Sequence, residues 1–121
     1  MASDTIGIRC WCLHPAGIQL AQFVRFVAKD GLGGKVVAAL QDASVAAADE
    51  EGTLVYAIHV APDNPDTVWM YELYASPEAQ MAHSGSTATA RLKAAVADLL
   101  AEPLAVSKGV PAEAFGLPSG K

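Results

Sequence analysis

Apolar and polar positions alternate with period two in several stretches of the chain and recur at helical spacing in others. The first clear strand is Ile18–Lys29, where Leu20, Gln22, Val24, Phe26 and Ala28 fall on one face and Ala21, Phe23, Arg25 and Val27 on the other. Both faces are mostly apolar. An antiparallel sheet in a monomer usually leaves one face to water, so this pattern predicts helices on one side and a second subunit on the other. The glycines of Asp30–Gly34 mark a turn, and Val36, Val37, Leu40, Ala43 and Ala47 then recur as one helical face over Lys35–Ala48, stopped at Asp49-Glu50-Glu51-Gly52. Thr53–Ala61 is a second strand, with Leu54, Tyr56, Ile58 and Val60 on one face. The turn formers Pro62-Asp63-Asn64-Pro65-Asp66 join it to a third, Thr67–Ala75.

In that third strand Val68, Met70, Glu72 and Tyr74 share the face predicted to meet the helices, and Trp69, Tyr71 and Leu73 the face towards a partner. Ser76, Pro77 and Glu78 are the cap, first-turn proline and dipole-complementing acid of a following helix. The helix breaks at Ser84-Gly85-Ser86-Thr87 and resumes near Ala88, with Leu92, Ala95, Val96, Leu99 and Leu100 facing the core until Pro103. Leu104–Val110 is a fourth strand. The order is β-α-β-β-α-β, an α+β, ferredoxin-like arrangement with an antiparallel sheet.

Flanking pieces and charge narrow the classes. With 121 residues there is room for one domain, taken as 18–110 between an N-terminal extension (1–17) and a C-terminal arm (111–121). The extension alternates Ile6, Ile8, Cys10 and Cys12 against Gly7, Arg9, Trp11 and Leu13, as in a short edge strand. Cys10, Cys12 and His14 form C-x-C-x-H; without a second cluster to complete a zinc site, ordinary thiols are preferred and no metal is assigned. The opening residues lack the basic and apolar regions of a signal peptide, which predicts a cytoplasmic protein. No apolar run approaches the ~18–20 residues that cross a bilayer. A net charge of −5 with scattered Lys and Arg argues against nucleic acid, and the phosphate-binding glycine spacings are absent. The hydrophobic content of 52% therefore points to protein contacts.

Asp30-Gly31, Glu51-Gly52 ahead of Leu54-Val55-Tyr56, Pro62-Asp63-Asn64-Pro65, Tyr71-Glu72-Leu73-Tyr74, Ser76-Pro77-Glu78-Ala79 and Ala82-His83 together resemble the antibiotic biosynthesis monooxygenase family over about residues 18–106. The resemblance implies a homodimeric α+β barrel in which two ferredoxin-like sheets pack face to face. It implies cofactor-independent oxidation by O₂ of an electron-rich aromatic, a quinol or anthrone-type phenol. Haem-degrading enzymes, small-carbonyl isomerases and proteins of unknown activity share the fold, which alone does not choose among them. His83 matches the histidine of the quinol-oxidising members. Tyr74 stands where the family usually has Trp, Val24 where several members have Asn, and Lys93 near the axial His of the haem-degrading branch, which removes the main warrant for haem.

On that resemblance the candidate catalytic residues are His83 as base, Tyr74 as hydrogen-bond donor to the substrate oxygen, and Glu72 to orient a donor or strengthen His83. Gln22 supplies a polar contact and Val24, Phe26, Met70 and Leu92 apolar walls. The structural alternatives are a surface histidine near a helix end, packing tyrosines, and an interface ion pair at Glu72. A non-catalytic dimeric module that binds a small hydrophobic metabolite is the alternative function.

Overall fold

The computed structural model describes residues 18–119. Strands β1 (Leu20–Val27), β2 (Thr53–Ala61), β3 (Asn64–Tyr74) and β4 (Ala105–Gly109) form one antiparallel sheet in the order β2-β3-β1-β4. Helices α1 (Gly33–Ala48), α2 (Pro77–Ser84) and α3 (Thr87–Val96) pack on one of its faces. This is the ferredoxin-like arrangement that the alternation predicts, with the second helical position split in two. The split follows from local chemistry. Ser76 Oγ accepts from Ala79 N at 3.1 Å to start α2 ahead of Pro77, and Ser86 Oγ accepts from Thr89 N at 3.1 Å to start α3.

The core lies between the sheet and the helices. Val24, Phe26 and Ala28 from the β1 segment, Val68 and Met70 from β3, Val36 and Leu40 from α1 and Val96 from α3 form one buried cluster. Each large side chain sealed there contributes about 1.5–3 kcal/mol.

Three boundaries differ from the sequence expectation, two of them because of a distant partner. Helix α1 begins at Gly33, two residues early, because the Asp66 carboxylate reaches over from β3 and accepts from Gly31 N (3.0 Å) and Gly33 N (2.8 Å). A cap borrowed across 33 residues leaves no local signature. A side chain at position 33 has no room, since a Cβ there would stand 1.9 Å from the Pro65 carbonyl oxygen. The hairpin turn is shorter than expected. Asn64 pairs with Ala61, and the register jump from Val60↔Val68 to Ala61↔Asn64 places Pro65 in an irregularity that tolerates its missing N–H. Helix α3 stops at Val96 rather than running to Pro103. Leu99 O accepts from Lys29 N and Ala101 N donates to Val27 O, both at 2.8 Å, so this segment bonds to the end of β1 instead.

Residues 1–17, with the Cys10, Cys12 and His14 cluster and the expected edge strand, lie outside the described residues. Residues 110–119, after β4, have no regular structure, and Gln19 Nε2 donates to Pro118 O at 2.7 Å. No described helix is long and apolar enough to cross a membrane.

Candidate active site

Strand register assembles the site. Tyr56 lies opposite Glu72, Glu72 opposite Gln22, and Gln22 opposite Lys108, which makes one polar row across all four strands on the face that carries the helices. The next row along, Ile58, Met70, Val24 and Val106, is wholly apolar. Polar groups on a covered face need partners or a ligand, and this row supplies a few convergent ones against an apolar wall.

A cavity of about 200 Å³ sits over the row. The sheet forms its floor, the end of α2 its closed end through Gln80 and His83, and the Thr89, Leu92 and Val96 face of α3 its roof. Its mouth opens at β4, the edge strand, where Val106 is 51% exposed although it belongs to the covered face. The space exists because the helices leave β4 partly uncovered.

His83 is buried in the last turn of α2. Its Nδ1 lies 2.7 Å from Glu50 Oε1, an oxygen that also accepts from Thr53 Oγ1 at 2.6 Å. The imidazole is flanked by the tilted rings of Tyr56 and Tyr74, with centroids 5.5 and 5.4 Å away. A carboxylate at Nδ1 selects the tautomer with the proton there, which leaves the Nε2 lone pair to act. Nε2 has no hydrogen-bond partner among the described residues.

Glu72 anchors a second network. Its Oε1 accepts from the Tyr74 hydroxyl in a short hydrogen bond and from Gln22 Nε2 at 2.9 Å, and Gln22 Oε1 accepts from Gln80 Nε2 at 3.2 Å. Burial pushes the Glu72 carboxyl above the usual range, opposed by the hydrogen bond from Tyr74, the nearby His83 and the hydrogen bond from Gln22. Burial, reinforced by the neighbouring Glu72 charge, also holds the phenols of Tyr56 and Tyr74 above their ordinary value. Both therefore stay protonated donors at neutral pH.

Of the residues named from sequence, Gln22, Val24, Phe26, Glu72, His83 and Leu92 border the cavity. Tyr74 and Met70 do not border it. Met70 is sealed in the core, and Tyr74 is fully buried behind Glu72 with its hydroxyl directed to that carboxylate rather than to the cavity. The acid on His83 is Glu50, not Glu72. Sequence reasoning missed Glu50, Tyr56 and Gln80. Tyr56 was readable, since it lies on the face of the second strand that the alternation marks. Glu50 was not, because a helix-stopping acidic run hides which carboxylate turns inward. Among the described residues no three His, Cys, Asp or Glu side chains cluster as metal ligands.

Comparison with known proteins agrees with this fold. NE2512, a protein of unknown function from Nitrosomonas europaea, is 30% identical, with 87% of this chain and 99% of that one aligned at a TM-score of 0.74. Rv0793 from Mycobacterium tuberculosis is 26% identical over 77% of this chain and 94% of its own, at a TM-score of 0.72. Another Nitrosomonas europaea protein, described as a candidate antibiotic biosynthesis monooxygenase, aligns over 74% of this chain and 95% of that one, at a TM-score of 0.71. Its identity is 21%, so that likeness is one of fold. No protein of curated function matches the chain. The sequence model for antibiotic biosynthesis monooxygenases matches residues 20–97, a span that holds the polar row up to Gln22, His83 and most of the cavity wall, and the chain belongs to that family.

Proposed function

We propose that the protein is a homodimeric, cofactor-independent monooxygenase that oxidises an electron-rich aromatic, of quinol or anthrone type, with O₂. The observation that carries this reading is the pairing of a buried His83, held through Nδ1 by Glu50, with an open cavity floored by the Tyr56, Glu72 and Gln22 row. A module without catalysis would have no need to fix one histidine tautomer beside a cavity of this kind.

His83 Nε2 removes the acidic proton of the bound phenol or anthrone. The neutral Tyr56 phenol, on the cavity wall, hydrogen-bonds the oxyanion that results. Tyr74 and Gln22 act one layer back by holding Glu72. The anion passes one electron to O₂, the resulting radicals combine into a peroxide, and its O–O bond breaks. For an anthrone the CH₂ group becomes a carbonyl: one oxygen atom enters the product, and the other leaves as water with the two hydrogens. The substrate supplies every electron.

The open sheet face supports the dimer. Phe23 is 43% and Trp69 45% exposed there, with Tyr71 5.5 Å from Phe23 and the Arg25 guanidinium 6.0 Å from the Trp69 ring. The test is oxygen uptake by purified protein, free of flavin and treated with chelator, against a panel of anthrones and quinols. One O₂ consumed per quinone formed is expected. Binding of these compounds with no uptake above the spontaneous rate would overturn the oxygenase reading in favour of a metabolite-binding module.

A further inference from the structure

The polar row does not end at the catalytic groups. It runs from Glu72 through Gln22 to Lys108, two strand spacings or about 10 Å away, at the mouth of the cavity. Lys93 borders the same cavity from α3, one helical turn after Thr89. Two lysines thus border one cavity, Lys108 from β4 and Lys93 from α3, in a chain of net charge −5 with only eight Lys and Arg residues. Neither has a carboxylate partner among the described residues. The carboxyl in the row of Lys108, Glu72, already accepts from Tyr74 and Gln22. Between them lie Leu104 and Val106, apolar and without hydrogen-bonding side chains. Two like charges bordering one partly apolar opening make it a favourable place for an anion.

We infer that the ligand of this cavity is an aromatic acid, with its reactive hydroxyl at the His83 and Tyr56 end and a carboxylate at the opposite end, held between Lys93 and Lys108. The inference rests on the aromatic-substrate reading above and adds the charge and polarity of the molecule. The two lysines select and orient, while the closed end does the chemistry. A neutral ring of the same shape fits the apolar walls but has nothing to hold it in one of its two directions.

The test is equilibrium binding of 6-hydroxy-2-naphthoate and 6-hydroxy-2-naphthamide to the full chain, followed by ligand fluorescence without oxygen, so that no turnover is required. The acid is expected to bind about tenfold more tightly than the amide at low salt, with the ratio falling as salt is added. Lys93→Gln and Lys108→Gln should each lower that ratio about threefold, and the double variant should bring it to one. Equal binding of acid and amide, an undetectable acid complex, or a ratio that survives in the double variant would overturn the inference. Its failure is separable from failure of the oxygenase reading. Selective acid binding with no oxygen uptake sinks only the latter; uptake with neutral anthrones and no acid preference sinks only the former.

Discussion

The two faces of the sheet use similar residues for opposite ends. On the covered face Tyr56, Glu72 and Gln22 sit beneath helices, where each polar atom is costly unless paired, and most are paired with one another. On the open face Trp69, Tyr71, Phe23 and Arg25 group at the surface, where Phe23 and Trp69 stay exposed. β1 and β3 contribute alternate residues to both. A one-residue slip of register would exchange chemistry for assembly, so strand alternation is the fold's main specification of function.

The sharpest way to break this division is at His83. His83→Ala should lower kcat by about 10²–10⁴-fold while sedimentation still gives a dimer, because the residue sits in α2, on the helix side of the sheet. Glu50→Gln should give a smaller loss, since an amide can still accept at Nδ1 but no longer stabilises a charged imidazole, and the loss should show in the pH profile of kcat. If His83→Ala keeps full turnover, the proposed base is wrong.

Next in size is the apolar row beside the site. Met70→Ala removes a side chain that is 1% exposed and should cost about 2–5 kcal/mol in denaturant unfolding. On the open face, Trp69→Asp should instead leave the fold's core intact and weaken the dimer by about 2–4 kcal/mol, read as a concentration-dependent shift to monomer. A wild-type monomer at micromolar concentration would remove the second half of the comparison.

Much of this division was legible in the sequence, because period two states which residues share a face, and the cap at Ser76 and the helix break at Ser84-Gly85-Ser86-Thr87 are local. That is why Gln22, Val24 and Phe26 read as one face of the first strand and Glu72 as part of the helix-facing side of the third. What sequence could not supply were contacts between distant segments. Asp66 caps α1 from another strand, and Glu50 reaches His83 across 33 residues. Tyr74 shows the limit within a strand: alternation gave its face correctly, yet whether a phenol meets the ligand or the residue two positions before it depends on how far the helices cover that end.

The smallest effect probes what the covered face costs the fold. The Glu72 carboxyl titrates higher in the folded protein than in the unfolded chain, with burial as the first cause. The folded state therefore holds that proton more tightly, and the stability it confers is present below the ordinary glutamate range and lost as pH rises through the raised folded value. Wherever the pH is high enough to ionise it, the buried carboxylate is a net burden on the fold. Glu72→Gln keeps an oxygen to accept from Tyr74 and Gln22 but carries no charge. Its melting temperature should exceed that of the wild type by a few degrees near pH 7.5, with the gap closing near pH 4, while oxygen uptake falls. Variants of Trp69 on the open face should show no such pH-dependent gap. A Glu72→Gln protein less stable than wild type at both pH values would mean that the carboxylate is retained for the network it holds together, and would shift the cost of the site onto the cavity itself.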